Sequence, residues 1–307
     1  MLHEFRVEEK AAGQRIDRFL AEVFPDKSRS FWQKLISQNS VLINDSPVKS
    51  SYIVETNDLI RVEYFEVDAV GEAEIEKKAP PLNVIYEDQD VAVVEKEAGL
   101  VTHSAPGHSS GTLAEAVQNY FGDNLSDLGD SRRRGIVHRL DKDTSGLLLI
   151  AKNNNAHKEL AKAFKKHDVL REYQAIVLGT PETDSGLIDA PLGRDPKERK
   201  RMSVQPEGKY ARTYFEVLGS NNGLSHLLLR LETGRTHQIR VHLAMINCPI
   251  LNDEKYGGKR VRVLDEDDLL LHASKLAFTH PVSGEELSFS SDLPRRFDFF
   301  LEEIYRK

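Results

Sequence analysis

A chain whose residues 65–81 read FEVDAVGEAEIEKKAPP cannot build one continuous core. Five acidic side chains, Gly71 and the Pro80 and Pro81 pair leave no helical or alternating apolar period there, so the stretch reads as a linker. The expected organisation is a small unit at 1–65, an acidic linker at 66–81 and a large unit at 82–307.

In the small unit Ile16, Phe19, Leu20 and Val23 recur at i, i+3, i+4 and i+7, which predicts a helix that stops before Pro25. Ser28 is placed to cap a second helix, with Phe31, Trp32, Leu35 and Ile36 as its buried stripe. Short strands are expected at VLIN, VKSSYIV and DLIRVEY, with a turn from Asn44 to Pro47. Arg15, Arg18, Lys27, Arg29 and Lys34 fall on the polar faces. That suggests an RNA-facing module, with a solvated helix face as the equally good ordinary reading.

The large unit alternates strand and helix signals without repeating a βα unit. VIYED, DVAVVEK, GLLLIAK, VLREYQAIVLG, ARTYFEVLG and SHLLLRLE read as strands. Helices are expected around Leu113, Ala116, Val117 and Tyr120, around Ala156, Leu160 and Phe164, and at THQIRVHLAMI with Thr236 as cap. Strands that follow one another directly predict an α+β fold with a largely antiparallel mixed sheet.

Composition narrows the function classes. No apolar run reaches the eighteen or so residues of a membrane span, and the N-terminus lacks a signal-peptide core, so no membrane role is expected. A lone cysteine, Cys248, excludes an internal disulfide and multi-cysteine metal sites and fits a reducing cytoplasm. The net charge of −7 argues against a uniformly basic nucleic-acid binder. Locally the balance reverses: from Pro191 to Arg212 seven basic residues face three acidic ones, so a basic groove on an acidic protein is possible. Dinucleotide, P-loop, nucleophile-elbow and zinc-protease motifs are missing, and His237 and His242, five apart, do not share a helical face as metal ligands would. Neither metal nor cofactor is expected.

What remains is GIVHRLDKDTSGLLLIAK, 135–152, in which five polar or charged side chains interrupt two apolar segments. Asp141 and Asp143, two apart, point oppositely on a strand and so fit a glycosidase pair poorly; taken alone, the string also fits a polar loop tied by surface ion pairs. ETGRTHQIRVHL, 232–243, puts two arginines beside a glycine turn and a helix start, suited to an anion. Arg171 and Tyr173 lie on the strand that begins near Val169.

GIVHRLDKDTSGL resembles the signature of the RluA-type RNA pseudouridine synthases, the group that includes the large-subunit enzymes RluC and RluD. PLGRDPKERKRMSV, KYARTYFEV, LETGRTHQIRVHL, DEKYGG and LHASKLAFTHP resemble further family motifs in family order, spanning 82 to about 290. The small unit resembles the alpha-L RNA-binding fold. Glu97, Ser104, Arg134 and Asn252 depart from the family pattern where proline (first three) or glycine (Asn252) is common.

The resemblance implies cofactor-free isomerisation of uridine in RNA, most simply large-subunit rRNA. It assigns Asp141 as the essential carboxylate, Arg240 as its cationic partner and Tyr173 as the aromatic that packs on the base. It implies that Arg139 fills the stack left by a flipped uridine and that His138 shapes the loop. Phosphate contacts are expected from Arg132, Arg133 and Arg134, from Lys200 and Arg201, and from Arg15, Arg29 and Lys34 of the small unit. An RNA N-glycosidase and a catalytically inactive RNA-binding or assembly factor are the alternatives. A cytoplasmic monomer is expected.

Overall fold

The computed structural model describes residues 2–25, 29–63, 79–103, 110–128, 133–198, 201–261, 264–265 and 268–306; of residues 2, 10, 30, 34 and 63 the backbone alone is described. Chain contacts divide it into Met1–Ile75 and Glu76–Lys307. The expected cap Ser28, most of the linker, and the site candidates Arg132 and Lys200 lie outside the described residues, as do Lys27 and Ser104.

The first unit begins with a strand the sequence reading did not anticipate, β1 (Leu2–Arg6). Helices α1 (Ile16–Val23) and α2 (Arg29–Ser37) follow, then β2 (Val41–Ile43), β3 (Ser46–Pro47) and β4 (Leu59–Glu63), in the sheet order β1-β4-β2-β3. Trp32 and Ile36 of α2 pack with Ile16 and Leu20 of α1 against Val41, Ile60 and Val62. VKSSYIV is not a strand: its regular part is a single bridge between Ile53 and Arg15. Asp17, fully buried in α1, accepts from Arg15, Arg29 and Gln33. Thus two of the cations expected to face RNA are engaged in an internal carboxylate cluster.

The second unit carries β5 (Asn83–Glu87), β6 (Val91–Lys96), α3 (Leu113–Phe121), β7 (Ser145–Ala151), α4 (Asn154–Lys166), β8 (Leu170–Leu178), β9 (Ser185–Asp189), β10 (Leu192–Arg194) and β11 (Met202–Val204). It continues with β12 (Arg212–Asn221), β13 (Leu224–Leu231), α5 (Gln238–Met245), β14 (Leu271–Thr279), β15 (Glu286–Ser290) and α6 (Asp298–Tyr305). The large sheet runs β5-β6-β7-β14-β8-β13-β12-β9, with β15 also on β14. The β7 and β14 pair is parallel and every other adjacent pair is antiparallel, so the fold is α+β with a mixed, largely antiparallel sheet.

Every residue of β7 is buried, as expected of a central strand covered on both faces. Leu148 and Ile150 join one apolar cluster with Val94 and Val117, while Leu147 and Leu149 join another with Leu160 and Phe278. Gly146, at φ +117°, lets β14 close against β7, since a Cβ there would stand 2.3 Å from the Ala273 carbonyl oxygen. In α3 the buried aromatic is Phe121, and Tyr120 is exposed.

Candidate active site

The segment 138–144 links the bridge at Ile136 to the start of β7, and its position is fixed from below by two buried side chains. Lys96, at the end of β6, is fully buried and donates to the carbonyls of Lys142, Glu97 and Leu100 at 2.7, 2.7 and 2.8 Å. Three acceptors match the three N–H groups of an ammonium. Burial pushes this amine down to about 7, opposed by the carboxylates of Asp143 and Asp141. Thr102 donates to the Leu140 carbonyl at 2.7 Å. Asp141 therefore projects from a loop whose backbone is tied to the sheet on either side.

Arg240 meets Asp141 from α5. Its Nη1 stands 3.5 Å from Asp141 Oδ2, and its Nε and Nη2 donate to the two oxygens of Asp253 at 2.7 and 2.8 Å. Burial works against this guanidinium, yet the hydrogen bonds and charge of Asp253, and then the charge of Asp141, hold it above its ordinary value. The fork on Asp253 fixes the plane of the guanidinium, so one edge remains for Asp141.

His237 is the third group at the carboxylate, with Nε2 4.0 Å from Asp141 Oδ2. It starts α5 in the left-handed conformation, at φ 55°. The Tyr256 hydroxyl accepts from the Met202 amide at 3.0 Å and lies 2.6 Å from His237 Nδ1; we assign it as the donor there because the opposite nitrogen, Nε2, faces the Asp141 carboxylate and needs the ring proton. The remaining imidazole proton then sits on Nε2, toward Asp141. Burial pushes His237 below its ordinary value, which favours this neutral tautomer. The Tyr256 ring is flanked by the Arg201 and Arg240 guanidiniums at 5.0 and 5.1 Å, so Arg201 is held against the protein.

Thr236 does not cap α5; it is exposed, and no side chain caps the helix. Gln238 ties the turn instead: its Oε1 accepts from the Arg235 amide and the Thr233 hydroxyl, and its Nε2 donates to the Arg212 carbonyl.

Asp141, Tyr173, Arg240 and His237 line one cavity of about 410 Å³, within the range of ligand sites. Tyr173 is buried on β8, and burial pushes its phenol up, so it enters any reaction protonated. Arg139 lines the same cavity, is exposed, and reaches His103 at 3.1 Å. His138 is spoken for: its Nε2 accepts from the Leu149 amide at 2.8 Å and its ring packs 4.8 Å from Phe164. Burial, with Arg171 adding to it, pushes His138 down to about 3, and its place is a loop brace. Arg133 is exposed, whereas Arg134 donates to the Leu125 carbonyl. Asn252 takes φ +68°, the conformation glycine would supply, and bonds across its own loop to Val261 and Asp265.

Among the described residues, Asp88, Asp90 and His280 have metal-ligand spacing. Their lone pairs are used: His280 Nδ1 accepts two amides, its Nε2 faces Asp88, and Asp88 also accepts from Tyr86 and two backbone amides.

A family model described as RNA pseudouridylate synthase matches residues 90–245, half of the chain, a range that includes Asp141, Tyr173, His237 and Arg240 but not Asp253 or Tyr256. The chain belongs to the RNA pseudouridylate synthase family. An S4 domain model matches residues 14–60 of the first unit. The chain is 41% identical over 296 residues to a Bacillus subtilis protein named uncharacterized RNA pseudouridine synthase YlyB, with 96% of each chain covered. It is 40% identical over 300 residues to the Vibrio cholerae ribosomal large subunit pseudouridine synthase D, covering 94% of this chain and 90% of the relative. In fold it matches human RNA pseudouridylate synthase domain containing 4, with TM-score 0.56 at 24% identity, over 72% of this chain and 92% of the other. As a pseudouridine synthase, the protein is an isomerase.

Proposed function

We propose that this pseudouridine synthase isomerises uridines of large-subunit ribosomal RNA and that Asp141 is its essential carboxylate. The observation that carries the site assignment is the meeting, in one cavity, of a half-buried carboxylate from a loop braced on both sides with a guanidinium at 3.5 Å and a buried phenol. The rRNA assignment is supported by the near full-length similarity to a relative named for the large subunit and by the S4 domain.

Isomerisation requires the bond between ribose and uracil to break and the base to be held while it turns. Asp141 is, among the described residues, the one carboxylate lining the cavity and serves as nucleophile or base at the nucleotide. Arg240 and the Nε2 proton of His237 steady its negative charge, and Asp253 keeps Arg240 from collapsing onto it. Tyr173 offers the base a flat apolar surface with a protonated hydroxyl. A stacked uridine must first be flipped out, at a cost of roughly a few kcal/mol, which Arg139 at the cavity mouth helps offset by occupying the gap. We read the protein as a cytoplasmic monomer; the buried, unpaired Cys248 fits a reducing compartment.

The test uses large-subunit rRNA carrying uridine tritiated at carbon 5, incubated with purified protein. Tritium passing to water from intact RNA supports the assignment, and Asp141→Asn should abolish release while RNA is still bound. Free tritiated uracil would mean glycosidase chemistry. No release from this RNA, or wild-type turnover by Asp141→Asn, overturns the reading.

A further inference from the structure

The cavity has a second, cationic end that the reaction groups do not use. Arg171 lies two residues before Tyr173 on β8, so both side chains leave the same face of the strand, about 7 Å apart along it. Arg171 is 7% exposed. Its Nη2 donates to the Leu231 and Glu232 carbonyls and its guanidinium rests 5.5 Å over the Phe164 ring. Its Nε has no hydrogen-bond partner, and no carboxylate among the described residues pairs with it.

Most of the arginines with ordered partners have an acid; Arg296, bonded to the Leu269 carbonyl and the Ser145 hydroxyl, shares the lack of one but lies outside this cavity. Arg240 has Asp253, Arg212 has Asp189, Arg230 has Glu172, and Arg15 and Arg29 share Asp17. A guanidinium taken out of water without a counter-charge is unfavourable, so an anion supplied from outside would be held firmly. Burial accordingly pushes Arg171 below the ordinary arginine value, opposed only by the Tyr173 phenol and by no carboxylate.

The surroundings fit an anion. Gly234 packs against Arg171, for a Cβ at Gly234 would stand 2.7 Å from Nη1; the glycine brings the backbone before α5 up to the guanidinium. Helix α5, eight residues long, begins four residues on, at Gln238, without a side-chain cap on its N-terminal residue. Lys165, at the end of α4, and Arg235 line the rim. Among the described residues the cavity lining holds five lysine or arginine side chains and one carboxylate, in a chain of net charge −7.

We propose that Arg171, the backbone at Gly234 and the Lys165 and Arg235 rim form a binding site for a phosphodiester of the nucleotide whose base occupies the Tyr173 end. The proposal rests on the reading of the cavity as a pseudouridine synthase site. An arginine and backbone amides at a helix start recognise a phosphate by charge and geometry without reading the base. The site would hold the sugar-phosphate in place while the freed base turns.

The experiment uses the full chain and a short RNA containing a uridine mapped by the tritium assay, made with ordinary linkages or with one neutral methylphosphonate 5′ or 3′ of that uridine. Neutralising one of the two linkages is expected to weaken wild-type binding tenfold or more, and Arg171→Met to weaken binding of the ordinary RNA by a similar factor. Arg171→Met on the RNA with the sensitive linkage neutralised should lose little more. Inorganic phosphate should compete with the ordinary RNA for the wild type; competition that persists unchanged in Arg171→Met overturns the site. So does a variant that loses the same factor on charged and neutral RNA, because its effect is then on folding. If Arg171→Met does not fold, the wild type decides: less than twofold change at both linkages overturns the site. Tritium release from ordinary RNA by the wild type is the control, and its absence overturns the activity itself rather than the phosphate site alone.

Discussion

Replacing Asp253 with asparagine should unfold the catalytic unit more readily than any comparable change at its surface. Asp253 and Arg240 have side chains 1% and 8% exposed and share two hydrogen bonds of 2.7 and 2.8 Å. Solvent screens such a pair little, and leaving one partner buried alone costs about 3–5 kcal/mol. For a unit of this size each kcal/mol shifts the midpoint by roughly 2–4 °C, so calorimetry should show a fall of about 6–20 °C. Asp141, at 3.5 Å, offers only partial compensation. If Arg240 then closes on Asp141, turnover should drop by more than affinity for RNA. The reasoning has a second arm: Arg240→Met with Asp253→Leu removes both charges and should melt near the wild type while being inactive. A midpoint within about 2 °C of wild type for Asp253→Asn, or a double variant as unstable as the single one, refutes the argument.

Lys96→Met should lower turnover by roughly 10–100-fold, because the loop carrying Asp141 loses its tie to Lys142. The wild-type lysine, brought from 10.5 to about 7 on folding, binds fewer protons folded than unfolded between those values, so its contribution to stability rises with pH across that window; urea titrations should show the rise in wild type and not in the variant. Tyr256→Phe removes the donor that sets the His237 tautomer, so turnover should fall at neutral pH and recover only in acid below the ordinary imidazole range, since burial lowers His237, where the protonated ring presents Nε2–H regardless. The groups facing that imidazole are Asp141, Arg240, Lys255 and Asp253, and a flat ratio of variant to wild type across pH would refute the tautomer argument. In the first unit, Asp17 is held below the carboxylate range: burial raises it, and Arg15, Gln33 and Arg29 outweigh that. Its stabilisation is present above about pH 4 and is lost as pH falls below that, and Asp17→Asn, which leaves two half-exposed arginines, should cost about 1–2 kcal/mol, read from the fluorescence of Trp32, the chain's one tryptophan.

The 138–144 loop drew attention in the sequence as a charged string between two apolar strands, but that string alone equally fits a polar surface loop; only the motif resemblance singled out Asp141 within it. Lys96 escaped notice because a lysine ending a strand ordinarily marks its exit into water; its burial depends on carbonyls as far along as Lys142. Asp253 and Tyr256 sit in DEKYGG, recognisable as a motif but without local chemistry until Arg240 and His237 arrive from the neighbouring helix. Thr236 misled as a cap because Gln238 satisfies the turn in its place. Strand β1 carries too few apolar residues to announce itself, and it is held by pairing with β4, nearly sixty residues on. Arg15 and Arg29 read as outward cations because nothing in the helical period says that Asp17 turns inward.

The parallel pairing of β7 with β14 has a consequence for the protein's own synthesis. Ser145 bonds His272, 127 residues later, and the strand that follows the Asp141 loop has no partner on that side until β14 exists. The strands of the first unit, by contrast, are complete by Glu63. A nascent chain leaving the ribosome can thus finish its RNA-binding module early, while the cavity waits for nearly the whole polypeptide. The enzyme's activity should therefore appear only after β14 has left the ribosome, later than the folding of the first unit.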